Sequence, residues 1–96
     1  MGMYNPPHPG EIIAETLEEE NISARALARY LDVAPSTLQR ILVGKSEVTP
    51  EMAIKLASVI GGSAKFWLNL QDNYSLWHAA RKIDTTKLQP LQLKRA

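Results

Sequence analysis

The chain has 96 residues, enough for one modest hydrophobic core and too few for two. With 45% apolar and 22% charged residues it reads as a soluble globular domain; it has no cysteine for disulfide or thiol chemistry, and no run nears the ~18 apolar residues of a membrane span. A formal net charge of +1 falls well short of the strongly basic balance common in nucleic-acid binders, so such a role must rest on where the charges lie.

Strand signals are weak and helical periodicity recurs, which predicts five helices in one domain of about residues 10–81. An extended lead (residues 1–9) precedes it and a loose tail (residues 82–96) follows. The run Asn5-Pro6-Pro7-His8-Pro9-Gly10 is incompatible with helix and leads into the first one, about residues 10–20. There Ile13 and Leu17 face inward with Ile12 nearby, and Glu11, Glu15 and Glu18 form an outward acidic stripe. Asn21-Ile22 breaks the run, and Ser23 is a good N-cap for a helix over residues 24–31.

A third helix follows Asp32-Val33-Ala34, with Pro35 in its first turn, where a missing N–H costs nothing. Ala34 is a poor N-cap, and a capping box of Ser36 with Gln39 would start this helix later than the pattern implies. Gly44 suits the left-handed position that ends it. Thr49-Pro50 opens a helix over residues 50–60 with Ala53, Leu56, Ala57 and Ile60 inward. Gly61-Gly62 stops it, Ser63 caps the fifth, about residues 64–81, and Phe66, Leu70, Tyr74 and Trp77 fall on one stripe with Trp67 beside it. The tail, with Pro90 and no clear cap, is expected to be loose.

The second and third helices carry the chemistry. Leu27, Ala28 and Leu31 share one face of the second, and Leu38, Ile41 and Leu42 one face of the third. Small Ala28 permits the close, steep crossing, roughly 90–120°, of a helix-turn-helix, with Asp32 in the turn and Val33 filling the gap. The outer face of the third helix is then Ser36, Gln39, Arg40 and Val43, with Thr37 on its flank. One α-helix fits the major groove, where Arg reads guanine, Gln reads adenine, and Ser or Thr serves a base or a phosphate. Arg25 and Arg29 stand together on the second helix, a like-charge pair that a phosphate would relieve. Lys45 and the helix start at Thr49-Pro50 would add a phosphate anchor.

Charge is segregated along the chain. Residues 1–24 hold Glu11, Glu15, Glu18, Glu19 and Glu20 and no base, and residues 25–45 hold Arg25, Arg29, Arg40 and Lys45 against Asp32 alone. From Arg81 onward there are five bases against Asp84, so different faces suit different partners.

Taken in order, His8-Pro9-Gly10-Glu11, Ser23 through Ser36-Thr37-Leu38, Gly44-Lys45, Thr49-Pro50-Glu51-Met52-Ala53 and Phe66-Trp67-Leu68-Asn69-Leu70-Gln71 resemble the HigA antitoxins of the Xre-type helix-turn-helix superfamily. The resemblance spans about residues 5–80. It implies a five-helix, lambda-repressor-like, all-α fold and a homodimer that represses its own operon and neutralises a RelE-like ribosome-dependent messenger-RNA nuclease. It also implies that Ser36, Thr37, Gln39 and Arg40 make the base contacts, while Ala34, where the family often has Ser or Thr, departs from the pattern.

Glu11, Glu15 and Glu18 suit a basic partner such as that toxin by charge steering. Phe66, Trp67, Leu70, Tyr74 and Trp77 are the dimer candidates, part of their stripe entering the monomer core. An enzyme is not expected. His8 and His78 are the only histidines, no paired-ligand spacing or glycine-flanked nucleophile accompanies them, and no metal or other cofactor is called for. His8-Pro9-Gly10-Glu11 reads as a turn and helix start. Two alternatives stay open, a stand-alone regulator without a toxin and a helical protein-binding module that no longer reads DNA. Absence of cysteine and of a signal-peptide stretch points to the cytoplasm.

Overall fold

The computed structural model describes residues 5–93, which form five α-helices, a short 3₁₀ turn and no strand. The helices are α1 (Pro9–Glu20), α2 (Ala24–Leu31), α3 (Pro35–Leu42), α4 (Pro50–Val59) and α5 (Ala64–Lys82), and the turn is Thr85–Lys87. The far ends of the expected lead and tail, residues 1–4 and 94–96, lie outside the described residues.

The starts follow from local chemistry. Ser23, Thr49 and Ser63 each accept an N–H of the first turn, from Ala26 at 3.1 Å, Met52 at 3.2 Å and Phe66 at 3.0 Å. For α1 the cap is His8, whose Nδ1 accepts the Gly10 N–H at 2.8 Å. Helix α3 begins at Pro35, and Ala34, in extended backbone with no side-chain bond, is its N-cap. The later start by a Ser36–Gln39 box is therefore not used; Pro35 fixes the first φ and nucleates the turn without a cap. Asp84 caps the 3₁₀ turn through its Oδ1 to the Thr86 N–H, a cap the tail was not expected to have.

The core lies where α1, α2, α3, α4 and the start of α5 converge. Ile13, Ala28, Leu31, Leu38, Ala53 and Leu56 are almost wholly enclosed, and Val33, Leu42, Ala57 and Ile60 pack against them from the edge. On α5 the inward line differs from the expected stripe. Trp67 and Gln71 are its buried residues, while Phe66 is 45% exposed and stands edge-on against the Trp67 ring. Gln71 follows Trp67 by four positions, about one helical turn, so the pair defines the buried ridge. Trp67 donates its indole N–H to the Gly61 carbonyl at 3.0 Å, which satisfies the one polar atom that burial would orphan.

Candidate DNA-reading face

Helix α2 ends in a left-handed residue, Asp32 (φ 58°), whose N–H returns to the Ala28 and Arg29 carbonyls. The Val33 N–H bonds the Ala28 carbonyl at 3.0 Å, closing a Schellman-type turn. Asp32 stands where glycine would be the easy choice, and its short polar side chain tolerates this conformation better than most. The turn sends the chain into α3, whose Leu38 and Ile41 are buried.

With Leu38 and Ile41 facing in, Ser36, Thr37, Gln39, Arg40 and Val43 are all exposed. Arg25 and Arg29 on α2, with Lys45 after α3, are exposed too, and neither helix carries an acid. Four hydrogen-bonding side chains on one short helix, and the apolar residue that caps it, are thus exposed and flanked by cations. Thr49 is also exposed, but its hydroxyl oxygen already accepts the Met52 N–H, so it faces an outside anion as a donor only.

The face is braced from behind. Arg40 Nε donates to Ser46 Oγ at 3.1 Å, leaving the outer guanidinium N–H groups for a ligand. The Lys45 and Ser46 N–H groups fold back on the Arg40 carbonyl at 2.8 and 3.1 Å, and Gly44 (φ 81°) permits that reversal. Further along, the Val48 N–H donates to Gln71 Oε1 at 2.8 Å, and Gln71 Nε2 donates to Ser75 Oγ at 3.0 Å. Gln71 thereby ties the α3–α4 loop to α5. Its side chain is buried with both ends satisfied, so nothing apolar of its size replaces it without orphaning Val48 N–H.

Behind the end of α3 sits the start of α1. His8 is buried, with Tyr74 edge-on at 4.8 Å between ring centroids. Burial holds its imidazole below the ordinary value of 6.5, against the opposing pull of the Ser46 backbone, Glu11 and Glu47. A base in an apolar surround is kept neutral, which is the form whose Nδ1 accepts the Gly10 N–H. The positioning residues His8, Gln71 and Ser46 were not singled out from sequence for this role. His8 has a faint signal, its place just before Pro-Gly-Glu, whereas Gln71 and Ser46 have none, because their partners are distant or set by a loop.

The remaining site expectations are distributed over other surfaces. Glu11, Glu15 and Glu18 are exposed along α1. Of the five aromatic and apolar residues expected at a dimer contact, Trp67 lies inside the monomer at 2% exposure and has no surface left for a second copy. Phe66 is exposed, and Leu70, Tyr74 and Trp77 are half-buried.

Comparison with known proteins places this arrangement in context. A family model described as helix-turn-helix matches residues 13–67. An uncharacterized HTH-type transcriptional regulator of Escherichia coli, YddM, is 52% identical over 91 residues, covering 95% of this chain and 97% of the relative. Antitoxin HigA-1 of Vibrio cholerae is 37% identical over 73 residues, covering 75% of this chain and 69% of the relative. The Pseudomonas aeruginosa antitoxin HigA, solved with the higBA promoter, superposes with a TM-score of 0.80 at 40% identity, covering 91% of this chain and 99% of that one.

Proposed function

This chain belongs to the helix-turn-helix family and, within it, to the HigA-type antitoxins, and from that premise we propose that it represses its own operon while holding a partner toxin inactive. The observation that carries the reading is the outer face of α3, where Ser36, Thr37, Gln39 and Arg40 stand exposed on a helix anchored by buried Leu38 and Ile41. Arg40 and Gln39 have the donor patterns that read guanine and adenine. Arg25, Arg29, Lys45 and the Thr49 hydroxyl fix the docking by phosphate contact. A relative solved with its promoter supports the assignment.

The toxin is a RelE-like messenger-RNA nuclease. An enzyme that grips RNA is cationic where it does so, and the exposed Glu11, Glu15 and Glu18 stripe steers it. The protein works in the cytoplasm as a homodimer, since two recognition helices about 34 Å apart read half-sites one turn of DNA apart. No metal or cofactor takes part.

The test is a mobility-shift titration on the DNA upstream of the protein's own gene, joined to co-purification with the adjacent gene product. Salt-sensitive binding to that DNA over scrambled DNA, and a stable complex that silences messenger cleavage, are expected. Binding without preference over scrambled DNA sinks the operator reading. Specific binding with no toxin in the complex favours instead a regulator without a toxin.

A further inference from the structure

One end of the molecule carries an apolar groove that the DNA-reading face does not use. It is lined by Thr16, Leu17 and Glu20 of α1, by Ile22, by Leu27 and Tyr30 of α2, and by Val59 and Ile60 of α4. Its volume is about 360 Å³, near the small end of ligand clefts, which is room for a few side chains. Ile22, Tyr30 and Val59 are 40%, 71% and 37% exposed, so the groove opens to solvent. Helices α1 and α4 both end here, and neither has a basic residue in its last turn. Their negative dipole ends add to Glu20, so the rim favours a cation. Arg29 is not among the lining residues; it borders an adjoining hollow with Tyr30.

At the opposite end of α5 the chain presents the complementary chemistry. Ile83, Leu88, Leu91 and Leu93 are 58%, 67%, 83% and 71% exposed, and Lys82 and Lys87 are exposed among them. Leu88 has φ −89° and ψ 143°, and Pro90 holds the residue before it extended. In this threefold extended form Leu88 and Leu91 fall on one ridge.

We infer that the groove receives the tail of a second copy of this chain, Leu88 and Leu91 entering between α1, α2 and α4 with Lys87 beside Glu20. The tail cannot serve its own groove in this way. Ile60 caps the end of α4 only four residues before α5 starts at Ala64, and the 19 residues of α5, ~28 Å, run from that start away to Lys82. Leu88 reaches back at most ~21 Å from the helix end. Exchange between two copies gives each one donated tail and one filled groove, a contact that closes at two. The inference rests on the homodimer proposed above and names its contact surface; it is independent of operator binding.

Sedimentation of the full chain at micromolar concentration tests it with two double variants. Leu88→Glu/Leu91→Glu alters exposed tail positions only, and Glu20→Lys/Ile22→Lys makes the groove repel the tail; circular dichroism checks that both fold. Each variant alone is expected to dimerise about tenfold or more weakly than the parent. An equimolar mixture of the two recovers a heterodimer through the one tail and one groove left intact. A labelled peptide of residues 81–93 binds the tail variant and not the groove variant. Parent-like dimerisation of either variant would overturn the inference and leave a dimer held by α5 alone. A monomeric parent, a mixture without heterodimer, or equal peptide binding to both variants would overturn it as well.

Discussion

Gly10 lies against Ile41 so closely that a Cβ on the glycine would overlap the Ile41 carbonyl oxygen and come to 3.0 Å from the Leu42 Cα. The first turn of α1 is thus seated on the backbone of α3. The missing side chain permits that seat.

Gly10→Ala is expected to destabilise the protein by about 1–3 kcal/mol, the usual penalty for forcing atoms into a packed interface. Alanine gains up to ~1 kcal/mol of helix propensity over glycine, but the clash is with backbone, which has no rotamer to escape into. Denaturant titration measures the stability. A midpoint equal to or above the parent's would mean that α1 and α3 are not in this contact.

His8 makes the same seat sensitive to pH. The unfolded chain takes up the imidazole proton at the ordinary 6.5, the folded chain only at a lower pH, because burial opposes the charge. Between those values the unfolded state holds more protons, so the contribution of His8 is full above pH 6.5 and is lost as pH falls through that window. The protonated ring also loses the acceptor for the Gly10 N–H. In His8→Asn the cap is kept without a titrating group, and thermal melts between pH 7.5 and 5 should depend less on pH than the parent's. Equal slopes would remove the assignment.

Ala34 is the one uncapped helix start among the five. Its extended backbone already has the conformation an N-cap requires, so Ala34→Ser should add about 1 kcal/mol of stability. For a chain of this size that raises the melting temperature by roughly 4–8 °C. A serine that leaves the melting temperature unchanged shows that α3 takes no further stabilisation at its start.

The proposed base readers and phosphate anchors separate by how they fail. Arg40→Ala or Gln39→Ala should lose about 1–3 kcal/mol of discrimination at one position of the operator. Arg25→Ala or Arg29→Ala should weaken operator and scrambled DNA alike and lower the salt slope by about 1. Operator titrations at several salt concentrations distinguish the two patterns. Ser46→Ala belongs between them, since it frees Arg40 Nε without removing the guanidinium. Uniform losses for all of these would place base readout elsewhere.

Local chemistry written in neighbouring residues determined most of the fold. Ser23, Thr49-Pro50 and Ser63 start helices by bonds to N–H groups three residues on, and Gly44 and Asp32 end them by backbone conformations that need no distant partner. The outward set Ser36, Thr37, Gln39 and Arg40 followed from the inward Leu38 and Ile41, because a period of 3.6 residues fixes one face once the other is known. Tertiary structure alone decided the rest. Which line of α5 turns inward depends on the α3–α4 loop it meets, and Gln71 is buried because Val48 offers it an N–H from 23 residues away. The seat of Gly10 on Ile41 and the Arg40–Ser46 bond likewise join groups that no periodicity relates. Sequence spacing reports which face of a helix is apolar; what that face touches is set when the helices pack.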